Sequence, residues 1–290
     1  NQVVATAKRP TTHFDLAKGT GDALTELIES SGIAPEQITS VAVSSTLATN
    51  SVVENKGARV AIIVIGYVKH FKLPVKAVLF VKGGHTIKGV EEEPLDIEYL
   101  VSLVSELKNE VDAYGVCSAM SIKNPTHELV TEKAIGMIDP KPVFCSHQIS
   151  SLAGMQERAA TAGLHAKLMP IMQKYVSGVQ QAMEKHNLHC PMIVVGGDGK
   201  PLAAETVIKQ AGLTVASGPA CTAHFGASRS NTDSLVIDVG GTTTDIAMIE
   251  AGQPLLASDG CQIGLWKTHV EAVDMHTEGV GGDSYVHLSH

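Results

Sequence analysis

The chain has 290 residues, of which 44% are hydrophobic and 18% charged, so it can bury a sizeable core and is not a disordered segment. Its net charge of −8 and its lack of a basic run argue against a general nucleic-acid-binding surface. No apolar run reaches the roughly 18 residues of a membrane span. The five cysteines are scattered and form no Cys-x-x-Cys pair, which favours a reducing cytoplasm over a disulfide framework or a structural zinc site.

The first half of the chain alternates between predicted strands and predicted helices. Apolar, mostly β-branched runs predict strands, and apolar residues at helical spacing predict helices. The predicted strands lie at 2–8, 39–44, 60–65, 77–81, 114–120 and 143–145. The predicted helices lie at 20–30, from 45 onwards, at 96–111 and at 125–138. This alternation implies a largely parallel sheet covered by helices.

The pattern from 150 to 187 predicts a long helix, bent or broken near Gly163 and Pro170, that could link two lobes. A strand at 192–195 and a helix at 203–210 follow. Ser217 is predicted to be the N-cap of the next helix, whose N-terminus is either an anion site or simply a capped helix end. Further antiparallel strands are predicted around 254–256 and 261–266.

The most informative stretch is 234–249, where a strand, a glycine turn and a second strand follow one another. Residues 235–237 form a short apolar run, which is typical of a buried strand. Gly240 and Gly241 permit a sharp turn that leaves backbone N–H groups bare for an anion. An ordinary Gly-Gly hairpin is the competing interpretation.

The polar residues around this turn favour phosphate and magnesium binding. Thr242 and Thr243 offer hydroxyls to a nucleotide's phosphates, and Asp238 and Asp245 offer carboxylates to Mg²⁺. We therefore predict these two aspartates as catalytic metal ligands. The string is not a Walker loop, because no Gly-Lys-Ser/Thr follows it. It is not a Rossmann fingerprint either, because the turn leads into a strand.

Two weaker features follow the hairpin. Asp274 and His276 alternate on one face of an extended segment, where they either contact a metal or substrate or form a structural pair. Gly281 and Gly282 could let a nucleotide's base or ribose approach the backbone, although a plain turn would look the same.

Several strings spread nearly end to end carry a family resemblance. They lie at 8–12, 46–50, 56–61, 124–128, 146–147, 157–161, 198–199, 217–220, 238–245, 274–277 and 281–284. Together they resemble the hydantoinase A / 5-oxoprolinase family of the actin-like ATPase superfamily. The resemblance implies an α/β, ribonuclease H-like fold of two lobes with mixed sheets covered by helices. It also implies a first lobe at 1–150, a helical connection at 151–190 and the start of a nucleotide-binding lobe at 191–290.

The resemblance further implies ATP- and Mg²⁺-dependent hydrolysis of a small cyclic amide such as a hydantoin or 5-oxoproline. A B-type hydantoinase subunit, a homo- or hetero-oligomer and a cytoplasmic location belong to that expectation. The family's first phosphate hairpin and its C-terminal part do not match any stretch here, so the chain is expected to be truncated at both ends. Asp283 replaces a family glycine and would repel phosphate unless a cation lies between them. A phosphotransferase of the same fold and a non-catalytic nucleotide-binding scaffold are the alternatives.

Overall fold

The computed structural model describes residues 2–10, 12, 17–67, 69–149, 151–230, 232–241, 243–257 and 259–285. Its helices are α1 (Lys18–Ser31), α2 (Leu47–Val53), α3 (Ile97–Leu107), α4 (Thr126–Ile138), α5 (Met155–Lys185), α6 (Ala204–Lys209) and α7 (Ser217–Ala227). Short 3₁₀ helices lie at Pro35–Gln37, Ser146–Gln148 and Ala211–Thr214. Its strands are β1 (Val41–Val43), β2 (Val60–Ile65), β3 (Ala77–Val81), β4 (Gly84–His85), β5 (Glu91–Glu93), β6 (Ala113–Ser118), β7 (Val143–Cys145), β8 (Met192–Val195), β9 (Pro201–Ala203), β10 (Ser234–Val239), β11 (Thr244–Glu250), β12 (Gln253–Pro254), β13 (Gln262–Ile263), β14 (Trp266–Lys267) and β15 (Met275–Glu278).

A four-stranded parallel sheet forms the first core, with strand order β3-β2-β6-β7. Every residue of β2 is buried, because α5 covers one face of the sheet while α3 and α4 cover the other. Strands buried on both faces are continuous apolar runs, which is why sequence reasoning located this sheet. Because all four strands run parallel, their carboxyl ends lie at one edge.

A second sheet joins distant parts of the chain. Strand β1 pairs in parallel with β8, and β8 pairs antiparallel with β9. The core beneath this sheet combines α1, α2 and α6 with the second half of α5. One sheet and one core thus draw on both sides of residue 150, and the division into 1–150, 151–190 and 191–290 stays a prediction.

The prediction for 150–187 is a helix bent or broken near Gly163 and Pro170. Helix α5 is continuous over 31 residues, so a break is wrong, while a bend stays a prediction. Proline removes one main-chain hydrogen bond and costs about 3 kcal/mol in a helix interior. The cost is offset by burial, since residues 158–168 of this helix are all buried. Despite this length, neither α5 nor any other helix in the described part of the chain has the apolar stretch needed to cross a membrane.

The predicted hairpin forms the centre of a third sheet. Strand β11 pairs with β10 along one edge and with β12 and β15 along the other. Helix α7 packs against one face through Ala220 and Ala223. On the opposite face Leu235 and Ile237 are each 59% exposed. The prediction that 235–237 form a buried strand is therefore wrong, because only alternate residues of β10 face α7.

Two further local predictions are wrong. Residues 2–8 form no strand. Ser217 is the first residue of α7 rather than its N-cap, and the cap position belongs to Ala216, whose φ is 61°. The Ser217 hydroxyl instead donates to the carbonyl oxygen of Ser45 at 2.9 Å. It therefore connects α7 to the loop after β1 instead of capping its own helix.

Acid should destabilise the fold through His165, which is fully buried in α5. Its ring stacks on Phe144 at 4.1 Å, and its Nδ1 accepts the Gly212 N–H at 3.1 Å. Burial lowers the pKa of His165 to about 3. A depressed folded-state pKa gives stability that is present above the unfolded-state value of about 6.5 and is lost as pH falls toward the folded-state value.

We expect the free energy of unfolding to fall by up to about 1.4 kcal/mol per pH unit below about pH 6.5 through this residue. Urea unfolding at several pH values gives the slope of the unfolding free energy against pH. This slope should be shallower for His165→Asn than for wild type. The control is His276→Asn, because His276 is 68% exposed and should leave the slope unchanged. Equal slopes for wild type and His165→Asn would contradict the prediction.

Candidate nucleotide site and a buried polar network

The hairpin places its two aspartates opposite each other. Asp238 on β10 pairs with Asp245 on β11, so both side chains lie on the face covered by α7. The Thr222 hydroxyl donates to Asp238 Oδ2 at 3.1 Å. The Thr277 hydroxyl donates to Asp245 Oδ1 at 2.6 Å. Two threonines from outside the hairpin thus orient both carboxylates, and sequence reasoning assigned no role to either of them.

The two glycine pairs meet in space. The Gly240 N–H donates to the Thr243 carbonyl at 2.8 Å and closes the turn. The N–H groups of Gly282 and Asp283 donate to the carbonyls of Gly240 and Gly241, each at 2.8 Å. These N–H groups are therefore not bare. Within the described residues, the N–H groups of Gly241 and Thr243 have no hydrogen-bond partner, while Thr242 lies outside the described residues.

The loop at 281–284 approaches the turn very closely. A Cβ atom on Gly281 would lie 2.7 Å from the Gly240 carbonyl oxygen, which is closer than real Cβ contacts come. An Asp283 carboxylate oxygen would lie 2.8 Å from a Cβ on Gly241, so a third carboxylate stands beside the turn. Three carboxylates around one glycine turn suit a cation better than a bare phosphate.

The carboxylate pair fits Mg²⁺ in particular. Among the described residues, no third His, Cys, Asp or Glu brings a ligand atom within 4.8 Å of both aspartates. Mg²⁺ is commonly held by one or two carboxylates, with water and phosphate oxygens as its other ligands. The donor set of Asp238 and Asp245 therefore matches a magnesium–nucleotide complex better than an all-protein metal cage.

His276 does not face this pair. It lies opposite Ile246 in the ladder, so its side chain is on the other face of the sheet from Asp245. Its Nε2 is 2.7 Å from Glu278 Oε1. Asp274 is exposed, and its backbone N–H bonds the Leu255 carbonyl at 2.8 Å. His276 thus cannot ligate the same ion, and a role of either residue toward another ligand stays a prediction.

A second polar cluster, which sequence reasoning did not assemble, lies at the carboxyl edge of the parallel sheet. Its centre is Glu128, in the first turn of α4 and 0% exposed. One carboxylate oxygen accepts the Ser118 N–H at 2.8 Å and the Ser146 hydroxyl at 2.6 Å. The other accepts the backbone N–H of His147 at 3.0 Å and its ring Nδ1 at 2.6 Å.

Arg158 of α5 completes this buried polar network. It is 0% exposed, and its Nη2 lies 3.4 Å from Glu128 Oε1. The same nitrogen donates to the Ser118 carbonyl at 3.0 Å, to the Ser146 hydroxyl at 2.7 Å and to the Ser121 hydroxyl. A buried charge pair is tolerated only when further hydrogen bonds satisfy it. Here they satisfy both carboxylate oxygens of Glu128 and Nη2 of Arg158, whereas Arg158 Nε is buried without a hydrogen-bond partner among the described residues.

The network has ligand atoms of Glu128, Cys145 and His147 within 4.8 Å of one another. We nevertheless argue against a metal held by all three. Burial raises the pKa of Glu128, but hydrogen bonds from His147 and Ser146 outweigh burial and hold it below its ordinary value. The carboxylate oxygens are thus already filled by donors. Burial raises the pKa of the Cys145 thiol far above its ordinary value, and the thiol donates to the Glu128 carbonyl at 3.7 Å.

Two family models cover most of the chain. One, described as Hydantoinase/oxoprolinase N-terminal region, matches residues 1–138, and another, described as Hydantoinase/oxoprolinase, matches residues 158–290. The chain belongs to the hydantoinase/oxoprolinase family. The resemblance inferred from the sequence strings is thereby confirmed.

Individual relatives agree with this assignment. The gamma subunit of acetophenone carboxylase from Aromatoleum aromaticum (strain DSM 19018 / LMG 30748 / EbN1) is 25% identical over 96% of this chain and 44% of that protein. The chain therefore spans less than half the length of this curated relative.

Two solved structures share the fold. Nucleotide-free acetone carboxylase matches with a TM-score of 0.80 and 19% identity over 95% of this chain and 44% of that chain. The ATP-dependent caprolactamase from Pseudomonas jessenii matches with a TM-score of 0.77 and 20% identity over 97% of this chain and 45% of that chain. The predicted α/β fold class is confirmed.

Proposed function

We propose that this chain carries nucleotide-binding residues of an ATP-dependent enzyme that activates the carbonyl or amide oxygen of a small substrate. The observation that carries the proposal is the pair Asp238 and Asp245, oriented by two threonine hydroxyls beside a glycine turn. The similar caprolactamase and acetone carboxylase are both described as ATP-dependent, and a lactam and a ketone share a C=O group.

Most of the predicted site residues have a role in this proposal. Asp238 and Asp245 would hold Mg²⁺, as two-carboxylate sites do. The turn at Gly240 and Gly241 and the Thr243 hydroxyl would contact phosphate oxygens. The loop at Gly281 and Gly282 fixes the shape of that turn through its backbone bonds. Bound Mg-ATP would supply the phosphoryl group, while the chain's own contribution is positioning and charge neutralisation.

For the substrate we propose a cyclic amide, such as a hydantoin, 5-oxoproline or a related lactam. The family description and the lactam-acting structural relative support this class over a ketone. We also propose that the chain works with a second subunit of the B type, because its curated relative is a gamma subunit. A cytoplasmic location stays a prediction.

The test is calorimetric titration of this chain with Mg-ATP. We expect Asp238→Asn and Asp245→Asn each to weaken binding by about 10-fold, which is about 1.4 kcal/mol, because each removes one charged ligand while the other remains. Glu250→Gln is the matched control, since Glu250 is an exposed carboxylate at the far end of β11. It should bind as tightly as wild type.

Failure of the folded wild-type chain to bind Mg-ATP would overturn the proposal, whereas binding without turnover of any substrate would favour the non-catalytic scaffold. If binding is found, a turnover screen with hydantoins and lactams follows. Ring opening with release of phosphate supports the hydrolase, whereas a stable phosphorylated product would support a phosphotransferase instead.

A further inference from the structure

The buried polar network presents one group to solvent. His147 lies two residues after the end of β7, at the carboxyl edge of the parallel sheet, where ligands of open α/β sheets bind. Its side chain is 19% exposed, whereas its partner Glu128 is 0% exposed. No hydrogen-bond partner of His147 Nε2 is found among the residues that the structure describes. Glu128 thus holds the imidazole through Nδ1, and Nε2 is available to a ligand.

The hydrogen bonds determine which ring nitrogen carries the proton. Both oxygens of Glu128 accept hydrogen bonds, from the Ser118 N–H, the Ser146 hydroxyl and the His147 N–H, as those of an ionised carboxylate do. Nδ1 of His147, 2.6 Å from Glu128 Oε2, must therefore be the protonated nitrogen. In the neutral ring Nε2 is then an unprotonated acceptor. A buried carboxylate that holds the tautomer and orientation of a histidine is the arrangement by which serine hydrolases make that histidine a base.

We propose that His147 is the general base of a second small-molecule site, separate from the nucleotide site, and that Glu128 is its positioning residue. The ligand class is a small compound with an electrophilic carbonyl. Nε2 takes a proton from a water molecule while the water oxygen bonds to the carbonyl carbon. The proton then passes to the leaving group as its bond to carbon breaks. The step needs no ATP.

The charges next to the imidazole balance one another. The ionisable groups packed near it are Glu128 of α4, Arg158 of α5 and Cys145 of β7. Arg158 balances the charge of Glu128. The ring therefore faces a neutral pair rather than a lone carboxylate.

Hydrolysis of p-nitrophenyl acetate by the full chain without ATP tests the inference. This ester has an activated carbonyl, and its hydrolysis is measured by the release of p-nitrophenolate. The main variant is His147→Asn, because the asparagine amide can still donate to Glu128 but has no nitrogen at the position of Nε2. General bases typically raise reaction rates by about 10²–10⁴-fold. We therefore expect the hydrolysis rate, after subtraction of the buffer background, to fall by roughly 10-fold or more. We also expect the pH–rate profile of this variant to lack the acid limb that catalysis by a general base produces.

His189→Asn is the control for ordinary surface imidazoles, because His189 is exposed and belongs to neither candidate site, and its rate should equal that of wild type. Unfolding curves check that His147→Asn is folded. Glu128→Gln should lower the rate of ester hydrolysis, but its pH–rate profile should keep the acid limb, because His147 is still present. An unchanged rate in folded His147→Asn, or an equal loss in His189→Asn, overturns the inference. Because no nucleotide is present, neither result bears on Mg-ATP binding.

Discussion

Replacing Arg158 with methionine is expected to lower the free energy of unfolding by about 3–5 kcal/mol. The side chain is 0% exposed and is the charge partner of Glu128, which is equally buried. Methionine fills much of the space but leaves the Glu128 carboxylate buried without a countercharge. It also leaves the Ser118 carbonyl without the donor now at 3.0 Å. Urea unfolding at about pH 7 measures the change.

An exposed ion pair provides the matched control. Arg59 Nη2 lies 2.9 Å from Asp112 Oδ1, but the two side chains are 57% and 43% exposed. Arg59→Met should therefore cost less than about 1 kcal/mol. Combining Arg158→Met with Glu128→Leu should recover part of the loss, since no charge then remains buried. If Arg158→Met destabilised the protein no more than Arg59→Met, our account of the buried pair would be wrong.

Much of the fold could be predicted because its signals are local. The continuous apolar run at 60–65 and the apolar stripe of 96–111 correspond to β2 and α3. The errors arise where tertiary packing decides. Burial keeps α5 continuous through Pro170. The neighbours of β10 leave Leu235 exposed, although its apolar run alone is typical of a buried strand. No residue spacing in the sequence predicts the continuity of α5 or the exposure of Leu235.

The candidate sites divide in the same way. Asp238, Gly240 and Asp245 were predicted together because one short hairpin carries all of them. Thr222 and Thr277 come from other elements, and only strand pairing and helix packing bring them to the aspartates. The buried polar network lay in strings at 124–128, 146–147 and 157–161 that the family resemblance included. Their contacts could not be predicted from the sequence, because three separate elements must fold before Glu128 contacts His147 and Arg158.

Adding a single methyl group at Gly281 is expected to weaken Mg-ATP binding by about 100-fold, or about 2.7 kcal/mol. In Gly281→Ala the new Cβ would lie 2.7 Å from the Gly240 carbonyl oxygen and would also collide with the Gly241 carbonyl. The loop would have to move away, which breaks the bonds from Gly282 and Asp283 to that turn. The turn then loses the shape that positions phosphate. Calorimetric titration with Mg-ATP measures the loss.

Gly279→Ala separates this effect from a general effect of alanine in the loop. A Cβ on Gly279 would meet no heavy atom of the described residues within 4 Å, although Gly279 is only two positions from Gly281. Its affinity for Mg-ATP should therefore equal that of wild type. Both variants should unfold within about 1 kcal/mol of wild type, because the loop is exposed and contributes little to the core. Wild-type affinity in Gly281→Ala would mean that the loop does not shape the phosphate turn. A comparable loss in both variants would instead indicate that the mobility of the loop, not its contact with Gly240, controls binding.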